Sequence, residues 1–172
     1  MTQASGSERV GIVVPIPEPH AAELLAERAA VGDPHADVAP HLTLVTGVQV
    51  GDWNEVMEHV TAVAAATEPF RLLLGDADTF RPVTPVVYAA VTEGAQACVE
   101  LHRALLQGPL TGPPAYPYVP HLTLAHGVDE ATLDRIQAAP RESWELHADR
   151  IAVYGDLGDD AWQLRALVPL GG

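Results

Sequence analysis

The chain has no lysine, and its nine arginines face 23 aspartates and glutamates, for a formal net charge of −14. A protein that tracks a long polynucleotide presents a basic stripe that displaces many counterions, and nine scattered arginines make no such stripe. Extended nucleic-acid binding is therefore not expected, and a phosphate handled here belongs to a small molecule or at most to an RNA end. Without lysine there is also no standard P-loop. Cysteine is nearly absent: Cys98 is the single copy, so no internal disulfide can form, and its place among Ala95, Val99, Leu101 and Leu105 at helical spacing reads as core packing. Serine occurs only as Ser5, Ser7 and Ser143, none within a Gly-x-Ser-x-Gly turn, which argues against a serine hydrolase. No apolar run approaches the roughly 18 residues that cross a bilayer. Met1 to Glu8 has neither the cationic start nor the apolar stretch of a signal peptide. The expectation is a cytoplasmic protein with a disordered tail over residues 1–8 and no membrane contact.

What is present is a globular composition, 48% hydrophobic and 19% charged over 172 residues, enough for one compact domain with a substantial core. Within it one string occurs twice. Pro40-His41-Leu42-Thr43-Leu44 returns as Pro120-His121-Leu122-Thr123-Leu124, 80 residues later. Chance accounts for such a pair on the order of one time in a hundred. In an extended strand the side chains alternate, so His41 and Thr43 share one face and Leu42 and Leu44 the other, and likewise for His121 and Thr123.

The surroundings repeat as well. Alternating Val10, Ile12, Val14 and Ile16 predict a strand, and a helix runs from Pro19 to a stop at Gly32, followed by the first motif strand. Asp52 and Glu55 resemble a capping box for a helix to about Thr67, and Phe70, Leu72 and Leu74 form the next strand. The second half repeats that order: strand 85–91, helix 95–107, a Gly/Pro-rich loop 108–118, the second motif strand, helix 129–138, and a strand over 144–154. A final strand spans 162–168. The expected fold is α+β and bilobal: a single domain over 9–172 in which two β-α-β-α-β units, about 9–76 and 85–154, face a central groove with mainly antiparallel sheets.

Two histidines and two threonines in one groove suit phosphoester chemistry. An imidazole titrates near pH 6.5, so one copy can accept a proton while its twin donates one. Threonine hydroxyls on the same face can hydrogen-bond the non-bridging phosphate oxygens. This scheme requires no metal or cofactor. The remaining histidines His20, His35, His59, His102 and His147 show neither a His-x-His pair nor a helical His-x-x-x-His, and Asp156, Asp159 and Asp160 read as a solvated turn. Tyr116 and Tyr118, ahead of the second motif, are aromatic surfaces able to stack on a base or flank a phosphate.

Paired His-x-Thr motifs in matching surroundings resemble the two-histidine phosphoesterase superfamily, specifically its LigT-like, 2'-5' RNA ligase or RNA 2',3'-cyclic phosphodiesterase branch, over roughly residues 9 to 170. The resemblance implies metal-independent opening of a 2',3'-cyclic phosphate to a 2'-phosphomonoester, with His121 activating water, His41 protonating the leaving oxygen, and Thr43 and Thr123 holding the phosphate. It also implies a substrate-binding place for Tyr118, whereas Tyr116 reads as loop packing. The chain departs from the family where many relatives carry a cation five residues past the second histidine: here that residue is His126, and alternation turns it away from His121 unless a bulge intervenes. A basic residue often follows the first motif too, where this chain has Val45, Thr46 and Gly47. Arg81 is the remaining candidate cation. These losses favour a mononucleotide-like or other small cyclic phosphate over RNA, and a monomer is expected. A non-catalytic phosphate-binding module of the same fold and an RNA-joining enzyme are the alternatives.

Overall fold

The computed structural model describes residues 8–112, 117–158 and 161–171. Residues 1–7 of the expected tail, Tyr116, Asp159 and Asp160 lie outside the described residues.

Among the described residues eight strands and four α-helices follow in the order β1 Arg9–Pro15, α1 His20–Ala30, β2 His41–Gln49, α2 Trp53–Ala65, β3 Phe70–Thr79, β4 Val86–Glu93, α3 Ala95–Leu105, β5 His121–His126, α4 Glu130–Ala138, β6 Trp144–Ala148, β7 Arg150–Asp156 and β8 Gln163–Pro169. Asp52 caps α2 by accepting from the backbone N–H of Asn54, and Asp129 caps α4 by accepting from that of Thr132. All strands join one sheet in the order β6-β3-β4-β5-β2-β1-β7-β8, and every neighbouring pair is antiparallel.

The predicted strand over 144–154 is two strands. β6 pairs with β3 near one end of the sheet and β7 pairs with β1 near the other, and only Asp149 separates them. One residue spans less than 4 Å, so the sheet must curl until its two ends meet at Asp149, where the carbonyl also accepts from Leu170 N. The lobes exchange strands as well: β3 from the first sequence unit lies against β4 of the second, and β7 from the second lies against β1 of the first. Sheet halves and sequence halves therefore do not coincide.

The leucine face of both motifs builds the core. Leu42, Leu44, Leu122 and Leu124 are buried in one cluster with Leu24 of α1, Val56 and Val60 of α2, Leu101 and Leu105 of α3, and Leu133 of α4. Each such side chain contributes about 1.5–3 kcal/mol of transfer free energy. Cys98 lies fully buried in the same cluster, and burial pushes its thiol up to about 12, so it packs as a hydrophobe. β1 shows more than its sequence pattern requires: Val10 to Val14 are buried on both faces, and the ring of Trp162 lies over Gly11.

Gly94, which caps α3 at φ +89°, is a position no other residue fills well, since a Cβ there would press against the carbonyl oxygen of Arg71. Gly94→Ala is expected to cost at least about 2 kcal/mol, read as a lowered urea midpoint with an unchanged slope.

Candidate active site

Each catalytic candidate opens its strand directly after a proline. The imidazole turns back so that His41 Nδ1 lies 2.8 Å from Ala39 O and His121 Nδ1 lies 2.7 Å from Val119 O. A carbonyl only accepts, so Nδ1 donates in both cases and Nε2 is the titrating nitrogen. The proline makes this geometry local: it lacks an N–H and holds the preceding residue extended, which leaves the carbonyl two positions before the histidine within reach.

The motif strands touch at one rung, Leu42 opposite Leu122, and diverge beyond it. The antiparallel register then sets His41 across from Thr123 and Thr43 across from His121 on the opposite face. By that register the two imidazoles lie on one face of the seam, each beside a threonine hydroxyl, and the charge of His41 reaches His121. Both histidines are half-buried. Burial lowers both from the usual 6.5, and the carbonyl bonds oppose it. The charge of Arg28 lowers His41 further, and that of His41 lowers His121.

His121 has an aromatic setting that sequence reasoning missed. Phe80 and Tyr88 stack on each other at 4.2 Å, and His121 meets both rings edge-on at 4.9 and 5.3 Å. Register carries the signal: Tyr88 pairs with Thr123 and Ala90 with His121, so Tyr88 stands on the motif face.

His126 needs a correction. Ladder partners are Ala90 for His121, Tyr88 for Thr123 and Val86 for His126, so the shift between Val87 and Tyr88 is a bulge that returns His126 to the face of His121 and Thr123. The first motif bulges at the equivalent point, pairing Gly11 with Thr46 and Val13 with Thr43. His126 stacks on His35 at 4.9 Å with ring planes 9° apart, and its backbone N–H donates to buried Asp33. Arg81 is the other departure. It donates to Glu130 and Asp134 at 2.8 Å and to Gln137 at 2.6 Å, all on α4, and so is committed to a helix rather than to the groove.

Tyr118 lies beside Thr43 and His121. Its hydroxyl donates to Thr43 O at 2.9 Å, its ring stacks on His102 at 3.9 Å, and burial pushes its phenol pKa upward. His102 Nδ1 lies 2.6 Å from Leu44 O. These bonds satisfy the edge of β2 that β5 has left. A cavity of about 920 Å³ opens beside Thr43 and His121, lined among others by Thr46, Phe80, Thr84, His102 and Tyr118, and no Asp, Glu or Arg lines it among the described residues. Among the described residues no group of three His, Cys, Asp or Glu converges where a metal could sit, and no helix is long and apolar enough to cross a membrane.

Paired motif strands at the centre of a curled antiparallel sheet are the architecture of the two-histidine phosphoesterases, and the chain belongs to the 2'-5' RNA ligase superfamily, which it matches over residues 16–160. A protein of Oceanobacillus iheyensis, provisionally named a phosphoesterase, is 29% identical over 139 residues, covering 78% of this chain and 81% of that one. A Bacillus thuringiensis protein of the same provisional name is 30% identical over 145 residues, covering 81% and 84%. Among solved structures, apo LigT of E. coli superposes with a TM-score of 0.70 at 19% identity, covering 98% of this chain and 100% of that one. LigT complexed with 3'-AMP superposes with a TM-score of 0.69 at 18% identity, covering 96% and 99%.

Proposed function

We propose that this protein hydrolyses a small 2',3'-cyclic phosphate of the nucleotide type to a 2'-phosphomonoester, using His41 and His121 as an acid–base pair without a metal. The observation that carries the reading is the Leu42–Leu122 rung, whose register supports His41 and His121 acting from one face on one phosphate, with Thr123 and Thr43 as their neighbours. In the proposed step Nε2 of His121 takes a proton from water as the water oxygen bonds to phosphorus. The bond from phosphorus to O3' breaks, and Nε2–H of His41 delivers its proton to that oxygen. The two threonine hydroxyls donate to the non-bridging oxygens, where negative charge grows. Membership of the superfamily supports phosphoryl chemistry, and the LigT complex with 3'-AMP supports a nucleotide as the substrate type. The cavity beside His121 supports a small substrate, because no arginine lines it among the described residues to pair with the charge of further phosphates.

Incubation with 2',3'-cyclic nucleotides in excess EDTA, followed by phosphorus NMR, is expected to give the 2'-phosphate at an undiminished rate. Inhibition by EDTA would revive a metal-dependent route. Absence of turnover with retained binding would make the protein a phosphate-binding module. The pH profile of kcat/KM follows from the two shifts. The free enzyme is active with one imidazole neutral and the other protonated. Burial holds both members below 6.5, and the charge of His41 lowers His121 further. A bell with its maximum below pH 6.5 is therefore expected, losing activity on the acid side as both become protonated and on the alkaline side as both become neutral. A maximum above pH 7 would contradict the assignment.

A further inference from the structure

The groove shows an electrostatic puzzle: it is suited to an anion, yet no arginine lines its cavity among the described residues, and Arg81 is bound to α4. One arginine lies beneath the motif strands instead. Arg28, in the last turn of α1, is only 5% exposed. Its guanidinium donates to Thr123 O, in the second motif, and at 3.3 Å to Val38 O, just before the first. Its Nε is buried without a hydrogen-bond partner.

We propose that Arg28 is the cation of this phosphate site, a positioning residue that anchors the Thr123 peptide and places a fixed positive charge behind the seat of the phosphate. The inference rests on the function proposed above and adds a residue that the motif does not contain.

Three observations support it. The first is reciprocity. Where β2 and β5 diverge, each motif threonine has its carbonyl held by a side chain from the other sequence unit: Thr43 O by Tyr118, and Thr123 O by Arg28. A neutral phenol serves one side and a guanidinium the other, although any neutral donor would satisfy a carbonyl. The second is cost. A buried cation with an unpaired Nε is unfavourable by itself, and desolvation lowers Arg28 from its usual value. An incoming phosphate monoanion would offset that cost.

The third is the company Arg28 keeps. Asp33 is the acid acting on it, but Arg28 and Asp33 form no direct ion pair among the described contacts, since Asp33 accepts instead from His35 N at 2.8 Å and from His126 N at 3.1 Å, and also meets His35 Nδ1 at 3.1 Å. The charge of Arg28 is therefore only partly countered, and it reaches His41. A substrate anion seated between His41 and Thr123 would lie in the same field. The guanidinium acts through the Thr123 peptide and through this field, with its donors occupied by carbonyls, so no direct contact with substrate is required.

Arg28→Met, which keeps the stem and removes the charge, and Arg28→Lys, which keeps the charge and loses the two-carbonyl grip, separate the two roles. Three measurements on the full chain are needed: folding by circular dichroism, titration of the His41 imidazole by NMR, and binding of inorganic phosphate by shift perturbation. Arg28→Met is expected to raise the His41 midpoint and to weaken phosphate binding by roughly tenfold, the size expected for one partly screened charge. Arg28→Lys should keep most of both properties, while turnover of a 2',3'-cyclic nucleotide falls because Thr123 is less well held. A folded Arg28→Met protein with the parental His41 midpoint and phosphate affinity would overturn the proposal. If Arg28→Met does not fold, Arg28→Lys decides alone: loss of phosphate binding with the charge retained would overturn the charge role. The titration and phosphate binding need no turnover. A parent protein inactive on cyclic phosphates would therefore undo the proposed reaction and leave the assignment of Arg28 to these two measurements.

Discussion

Alanine in place of His121 is expected to lower kcat on a 2',3'-cyclic nucleotide by about 10²–10⁴-fold, and alanine in place of His41 by a similar factor. The reasoning is geometric. Each Nδ1 is tied to a backbone carbonyl, so Nε2 alone faces the groove, and neither imidazole can exchange roles with another nearby base. His126 shares the motif face but is stacked on His35, and His102 is engaged with Leu44 O and Tyr118. The double substitution should cost little more than the worse single one, because an acid without its base has little left to assist. Stability should change less than activity, since both side chains are only half-buried, although His121 also loses its edge contacts with Phe80 and Tyr88. Single-turnover rates beside thermal melts check this. Turnover that survives both alanines would sink the paired-histidine mechanism.

A large stability loss is expected at the rung itself. Leu122 is fully buried, opposite Leu42 on one side and Ala89 on the other. Leu122→Ala removes packing and leaves a cavity at the seam of the sheet, worth about 2–5 kcal/mol, or a fall in Tm on the order of 10 °C for a domain of this size. Its effect on activity should exceed its effect on folding. The seam fixes the diagonal spacing of the imidazoles, and a small misplacement of acid and base is costly. Leu133→Ala supplies the control, because Leu133 is equally buried but belongs to α4. Similar destabilisation by both, with kcat reduced only by Leu122→Ala, is the expected pattern. Equal kcat in the two variants would show that the rung does not govern the site.

Much of this was legible in the chain because it was local. Alternation placed His41 with Thr43 and Leu42 with Leu44, and the burial of β2 and β5 follows that pattern residue by residue up to Leu44 and Leu124. Asp52 signalled α2 through a side chain that caps within two residues. Beyond the motifs, periodicity misled. Alternation sends His126 to the leucine face, and the bulge that reverses it arises in the pairing of β5 with β4, a non-local event with no mark in residues 121–126. Arg81 had the right charge near Phe80, yet its bonds go to Glu130 and Asp134, about 50 residues onward. Arg28 looked like an ordinary helix residue, since nothing in α1 announces that its guanidinium will meet the carbonyl of Thr123.

By itself the sequence determined the repeated unit, the polar and apolar faces of each motif strand and the four side chains proposed to handle a phosphate, since all of these follow from backbone periodicity and side-chain chemistry over a few residues. Only the tertiary structure decided that the two motifs meet at a single rung, that the sheet curls to join its ends at Asp149, that the lobes exchange β3 and β7, and that a buried arginine lies beneath the site. Strand partnership is chosen by the burial free energy of the whole sheet, which no short window of sequence contains.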